Sequence, residues 1–270
     1  MAQCTAGYSC CICRIARAAL IFGRGALLTQ QAPQFEHITM KIMRKLLFWL
    51  ILVPVLLVLL VQLYFFLQIG WWVNHNPDST SFMRQQLSSL QDKNPNAQLK
   101  QKWVPYKRIS NKLKRAIIAS EDSNFSGHEG IDWEALEKAY EKNVKKGKVV
   151  AGGSTITQQL AKNLFLSGDR SYIRKGQELV ITYMLEFWME KERIFEIYLN
   201  VVEWGVGIFG AEAAAQHYYG VSAAQLSSEQ AARLAVMLPN PRYYDAHRGT
   251  GYLGRRTDLI LRRMNSAALP

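Results

Sequence analysis

The stretch Gly152-Gly153-Ser154-Thr155-Ile156-Thr157-Gln158-Gln159-Leu160-Ala161-Lys162-Asn163-Leu164-Phe165 carries the signals that decide the fold class. Two glycines end whatever precedes them. Thr155 and Gln158 then stand three apart, the spacing of a capping box, in which each side chain satisfies a backbone N–H that the first turn of a helix leaves free. The reading is a helix over 156–165. Outward in both directions the same period recurs. Asp132 is a helix N-cap, followed by Trp133, Leu136, Tyr140 and Val144 at spacings of three and four. A helical pattern apolar on most faces runs from about Tyr172 to Asn200, and alanine-rich helical stretches cover 211–218 and 228–238, the second ended by Pro239 and Pro241. Alternating strand patterns are almost absent, so the predicted class is all-α.

Further toward the N-terminus the chemistry changes. Residues 46–67 read LLFWLILVPVLLVLLVQLYFFL without a charge, long enough at about 1.5 Å per residue to cross a hydrocarbon core of roughly 30 Å. A cleaved signal peptide would have a shorter apolar run and a small-residue cleavage site; here Gln68-Ile69-Gly70-Trp71-Trp72 follows, with the two tryptophans where an aromatic belt would sit. Lys41, Arg44 and Lys45 flank one side, and the other has no Lys or Arg before Arg84. The expected arrangement is a cytoplasmic segment 1–45, a transmembrane helix 46–67, a connecting region 68–100 broken by Asn-Pro pairs, a catalytic domain 101–246 and a basic tail 247–270, with the domain outside the cytoplasm. All four cysteines (4, 10, 11 and 13) precede the apolar run; their spacing fits no zinc pattern, and a cysteine-free outer domain is held by packing alone. With 270 residues, 49% hydrophobic and 20% charged, the chain is neither disordered nor fibrous. A net charge of +12 suits an anionic partner; nucleic acid is not expected of a domain outside the cytoplasm.

Three clusters could carry chemistry. Glu121 and Asp122, with Phe125, His128 and Asp132 close behind, follow the apolar run Ala116–Ala119, so Glu121 emerges from a packed helix end. Desolvation there raises a carboxyl pKa and makes a better base near neutral pH; alone, the pair reads equally as surface acids. The 152–163 stretch offers a close backbone approach, free N–H groups at a helix start and Lys162 two turns in, a site for a phosphate group or an ordinary capped helix. Arg174, Lys175 and Glu178 read as a surface ion pair, or as a carboxylate that ligates a divalent ion or orients a phosphate clamp. Together they fit sugar transfer from a lipid-linked diphosphate, in which an acceptor hydroxyl needs one base and an anionic leaving group needs neutralising rather than protonating.

In this order the clusters resemble the motifs of the peptidoglycan glycosyltransferase family, the transglycosylase module of bifunctional penicillin-binding proteins. Glu121–Gly130 resembles the first motif, Gly152–Asn163 the second, Arg174–Glu178 with Leu185-Glu186 the third, and Lys191–Asn200, continuing to Tyr218-Tyr219, the fourth. The chain ends at Pro270 and holds neither Ser-x-x-Lys nor Lys-Thr-Gly, which is similar to the stand-alone, monofunctional form. Val221 departs from a frequent Lys and Thr182 from a usual Ala. The resemblance implies a lysozyme-like domain of two lobes, the smaller one facing the membrane, and polymerisation of lipid II into β-1,4-linked glycan with inversion and release of undecaprenyl diphosphate at the bacterial inner membrane. It implies that Glu121 is the general base and that Glu178 binds the diphosphate through Mg²⁺ or Mn²⁺. Lys162, Arg174 and Lys175 would neutralise the leaving group. Ser154, Thr155, Gln158, Gln159 and Asn163 would shape the donor subsite, with Asp122, Phe125 and His128 supporting Glu121. Lys142, Lys145, Lys146 and Lys148 would face anionic lipid, or form a solvated turn. Partners would be lipid II, the growing strand, the membrane and cell-division or elongation proteins. A muramidase of the same fold and a non-catalytic scaffold are the alternatives; the first has no need of Lys162 or Arg174.

Overall fold

The computed structural model describes residues 11–148, 150, 152–166, 168 and 171–270, and of residues 11–39 the backbone alone. The cysteine side chains lie outside the described residues. Two compact units divide between Leu63 and Tyr64. The first is the greater part of one helix, α1 (Cys11–Trp72), of which Met40–Trp72 is long and apolar enough to cross a membrane. Its side chains from Leu46 to Leu63 are largely exposed, including leucines, valines and Trp49 that no soluble surface would gather so densely.

The second unit begins with the last turns of α1, and here the structure departs from the aromatic-belt expectation. Trp71 is exposed, but Trp72 and Ile69 are buried, with the Trp72 ring 5.3 Å and the Phe65 ring 4.6 Å from that of Phe165. Region 68–100 is more than a connector. It holds α2 (Ser81–Gln91), capped by Thr80 with Met83 buried, and leads into β1 (Lys100–Gln101). There follow α3 (Asn111–Glu121), α4 (Trp133–Lys146), α5 (Ile156–Phe165), α6 (Tyr172–Trp188) and α7 (Lys191–Val201). After them come β2 (Glu203–Gly205), β3 (Ile208–Phe209), α8 (Ala211–Tyr219), α9 (Ser228–Met237), α10 (Pro241–Ala246) and α11 (Gly251–Arg263). The class is all-α as expected. The strands form one small sheet, β1 parallel to β3 and β3 antiparallel to β2, too short for an alternating pattern to be legible.

Two helical layers make the core. In one, α9 packs against α3 and α11, its Ala231, Ala232 and Ala235 wholly buried beside Ala116 and Ile117, small side chains that let the axes approach. In the other, α5 packs against α6, α7 and α2. The continuous 172–200 helix is in fact two. Met189 and Glu190 are extended, Met189 is buried, and the new direction lets α7 sink Ile194, Phe195, Ile197 and Tyr198 fully into the core, whereas α6 keeps an exposed side.

Two further expectations are corrected. Residues 247–270 are no tail: α11 buries Leu253, Thr257 and Ile260, and Met264 follows them, apolar or small positions at helical spacing against α9 and α3. Arg115 then holds the chain end through the carbonyls of Asn265 and Ala267. The apolar positions of α4 form the predicted helix but not a core face, since Trp133 is 65% and Tyr140 69% exposed and only Ala139 is buried.

Candidate active site

The site is built at the ends of helices. Burial of Leu113, Ala116 and Ile117 fixes α3, whose last residue is Glu121. Asp122 leaves the helix and ties three pieces together: its Oδ1 meets His128 Nε2 at 3.0 Å, and its Oδ2 accepts the Ile156 N–H, one of the free donors at the start of α5, at 3.0 Å. The capping box predicted at Thr155 and Gln158 is present in both directions. The Thr155 hydroxyl also donates to the Gly130 carbonyl at 2.6 Å, which fastens α5 to the loop after α3. Gly130 has φ +83°, and a Cβ there would fall 2.6 Å from Thr182 Cγ2, so conformation and space both require glycine.

Glu121 is half-buried. Its Oε1 accepts from Ser120 Oγ and its Oε2 from Gln159 Nε2, each at 3.1 Å. Burial pushes its pKa up, against those two hydrogen bonds and Arg256, which pull it down. It opens into a cleft of about 220 Å³ lined also by Ser154, Asp132, Arg256 and Arg263. Behind it, Gln159 Oε1 accepts from the Tyr198 hydroxyl at 3.0 Å. Tyr198 is wholly buried and its pKa lies well above the usual value, so it stays a proton donor.

The second half of the site lies along the same helix. Lys162 is one turn beyond Gln159 on α5. Burial lowers its pKa, Glu178 opposes this, and Arg174 and Lys175 add to it, so all four charged groups feel one another. Arg174 Nη1 reaches Glu178 Oε2 at 2.6 Å and Lys175 bonds Glu178 Oε1. Lys175 Nζ also lies 3.4 Å from Ser154 Oγ, at the edge of the Glu121 cleft. The cation cluster thus reaches the rim of the Glu121 cleft through Lys175 and Ser154. Arg174 Nε is buried without a hydrogen-bond partner among the described residues, a donor facing unmet demand.

The expected residues divide. Glu121 is joined to Gln159, Ser154 lines the cleft and meets Lys175, and Lys162, Arg174 and Lys175 gather about Glu178. Asp122 and Thr155 line the cleft but use their polar atoms internally, while Phe125, Gln158 and Asn163 are buried as framework, with no face for a ligand. His128 is held by Asp122 in the same framework. Glu178 does not fit the metal-ligand expectation. Both its oxygens are engaged by cations, and a divalent ion would enter beside three positive charges with one carboxylate to hold it. Asp122, His128 and Asp132 place ligand atoms within 4.8 Å of one another, but Asp122 is committed to His128 and Ile156, and Asp132 to the Ala135 N–H. Arg256 and Arg263 lie outside the sequence motifs, and Tyr198 lies within the fourth without an expected role. Reading 247–270 as a tail hid the seven-residue spacing that sets both arginines on one face of α11.

A transglycosylase family model matches residues 86–265, a span that takes in α11. The chain is 91% identical to the biosynthetic peptidoglycan transglycosylase of Herminiimonas arsenicoxydans over 231 residues, 86% of this chain and all of the relative. It is 87% identical to that of Janthinobacterium sp. (strain Marseille) over the same length and coverage. Identity to that of Methylobacillus flagellatus is 61% over 229 residues, 84% of this chain and all of the relative.

Proposed function

The chain belongs to the transglycosylase family and is a peptidoglycan glycosyltransferase of cell-wall synthesis; from that premise we propose how its residues divide the reaction. The substrate is lipid II, as donor carrying the growing strand and as acceptor. Glu121 takes the proton of the acceptor's 4-hydroxyl as that oxygen attacks C1 of the donor. The C1–O bond to phosphate breaks, the configuration inverts, and undecaprenyl diphosphate departs with the bonding electrons. Lys162, Arg174 and Lys175 receive the developing charge. Against Glu178 they carry a net positive charge suited to a diphosphate, which would also supply the partner that Arg174 Nε lacks and restore the depressed Lys162 pKa. Glu178 serves to hold Arg174 and Lys175 in place. Arg256 and Arg263 extend positive charge to the Glu121 side of the groove.

The observation that carries this division is that α5 presents Gln159 to Glu121 and, one turn on, Lys162 to the Arg174–Lys175–Glu178 cluster. A base and a leaving-group clamp on one helix face is the order the reaction needs. A muramidase acts on a neutral glycosidic bond and has no use for the second half. The domain acts at the membrane, anchored by α1; the exposed Trp133, Tyr140, Val144, Tyr172, Ile173 and Phe187 on α4 and α6 support an additional contact with lipid. The positive-inside pattern supports a periplasmic domain. The test is polymerisation of purified lipid II. Wild type forms glycan, Glu121→Gln forms none, and Lys162→Ala loses turnover; unchanged polymerisation by the first variant would refute the base assignment.

A further inference from the structure

Arg193, in the first turn of α7, closes the carboxyl end of α1. Its Nε and Nη2 donate to the Trp72 carbonyl at 3.1 and 2.9 Å, and Nη2 also reaches the His75 carbonyl at 2.6 Å and Asn76 Oδ1 at 3.0 Å. Nη1 pairs with Glu196 at 3.1 Å, and Glu196 in turn accepts from the Trp103 indole at 3.3 Å. A helix end leaves carbonyls unpaired and partly negative, so a forked cation satisfies both needs at once. The side chain is only 17% exposed, and its guanidinium lies 5.7 Å from the Trp103 ring. Apolar contacts complete the joint. Phe65 and Trp72 pack on Phe165, and Gly70 passes so near Trp188 that a Cβ would fall 3.2 Å from its ring.

The end of α1 is therefore fastened to α7 through Arg193 and to α5 through Phe165. Those two helices carry Tyr198 and Gln159, the relay that holds Glu121. We propose that Arg193 is a positioning residue for the reaction on bilayer-held substrate: it locks the last turn of α1 against α7 so that the helix end cannot slip relative to the Tyr198–Gln159–Glu121 relay. This rests on the glycosyltransferase reading above. A substrate whose tail stays in the bilayer is confined to the membrane that α1 is apolar enough to cross, whereas a short-chain substrate in solution approaches freely.

The experiment uses the full chain in vesicles of phosphatidylethanolamine and phosphatidylglycerol. Natural-length lipid II in the same bilayer is compared with a short-chain, water-soluble lipid II analogue. For Arg193→Ala the expected loss in kcat/KM is at least about fivefold on the bilayer-held substrate and within about twofold on the soluble one. Arg193→Lys recovers part of the loss, and amide hydrogen exchange over residues 73–80 quickens in the alanine variant while that of α3 does not. Equal losses on both substrates, no loss on either, or unchanged exchange overturns the proposal. If the alanine variant does not fold, the lysine variant is judged by the same comparison. Wild type inactive on both substrates would strike the functional reading instead, and the exchange measurement then decides the joint by itself.

Discussion

Gln159 donates its amide proton to Glu121 Oε2 at 3.1 Å, and it does so in a fixed sense, because the Tyr198 hydroxyl occupies its Oε1 at 3.0 Å. The amide cannot turn over without losing both bonds. Two opposed influences thus meet at one carboxyl: burial favours its protonated form, and an oriented donor favours the ion that must accept a proton.

Removing the donor should make that conflict visible. In Gln159→Leu the hydrogen bond that pulls the Glu121 pKa down is gone while burial remains, so the folded-state pKa rises further. The acid limb of the kcat/KM profile for lipid II polymerisation moves to higher pH. Turnover at neutral pH falls about tenfold, the order expected when a general base is partly protonated and loosely held. Tyr198→Phe moves the limb in the same direction by less. A limb that stays fixed in both variants, measured from pH 5 to 9, would exclude the relay.

Glu121 itself is expected to oppose stability. Its folded-state pKa is raised, so its protonated form is the one the fold prefers; that preference is fully expressed below the unfolded-state value and is lost as pH rises through the folded value. At neutral pH the ion is a cost. Glu121→Gln should therefore abolish polymerisation, by about 10²–10⁴-fold, and at the same time raise Tm at pH 7 while leaving it nearly unchanged at pH 4. Loss of both activity and Tm would mark Glu121 as a structural acid.

Much of the fold was legible because local signals agreed with tertiary structure. The Thr155–Gln158 box opens α5, and Asp132 caps α4 through the Ala135 N–H. What was not legible depended on partners far along the chain. The α4 periodicity is real, but which face is buried is set by neighbours, and among the described residues none covers Trp133 or Tyr140. Arg256 looked like tail charge because the burial of Leu253 and Ile260 against α9 is a long-range fact. Trp72 followed a membrane-like run and so read as a belt residue, although Phe165 takes its ring into the core. At the site, residue types were legible and their surroundings were less so: Gln158 and Asn163 look as polar as Gln159 in the sequence, and only the fold buries those two while it sets Gln159 against Glu121.

Glu178 tests whether the anion site is made of cations or of metal. Replacing it with Gln leaves Arg174, Lys175 and Lys162 mutually repelling in a largely buried place. The chain should lose on the order of 2 kcal/mol, discounted from a fully buried pair because Lys175 is 39% exposed. Polymerisation should fall with a rise in KM for lipid II, since the clamp is misplaced. Millimolar Mg²⁺ or Mn²⁺ should not raise the Tm of the substrate-free wild type, because ligand binding to the native state would stabilise it by mass action and the Glu178 carboxylate is already taken by Arg174 and Lys175. A rise of several degrees, absent in Glu178→Gln, would restore the metal-ligand role.

The most informative stability experiment lies at Gly130, whose carbonyl joins the loop after α3 to the start of α5. An alanine there meets two separate penalties: a positive φ that L residues rarely adopt, and Thr182 Cγ2 at 2.6 Å from the new Cβ. Gly130→Ala should cost on the order of 2–3 kcal/mol and lower polymerisation, because the Gly130 carbonyl anchors the Thr155 hydroxyl at the start of α5. Thr182→Ala alone loses the hydrogen bond from its hydroxyl to the Glu178 carbonyl and the fully buried Cγ2 methyl, and should cost on the order of 1–2 kcal/mol. If steric crowding is the larger penalty, the double variant is more stable than the sum of the singles predicts, because the contact that each change affects is the same one. If the backbone conformation is the larger, the two costs simply add. Chemical denaturation of the three variants separates the cases, and an unperturbed Gly130→Ala would show that α5 is held at Thr155 by something other than this loop.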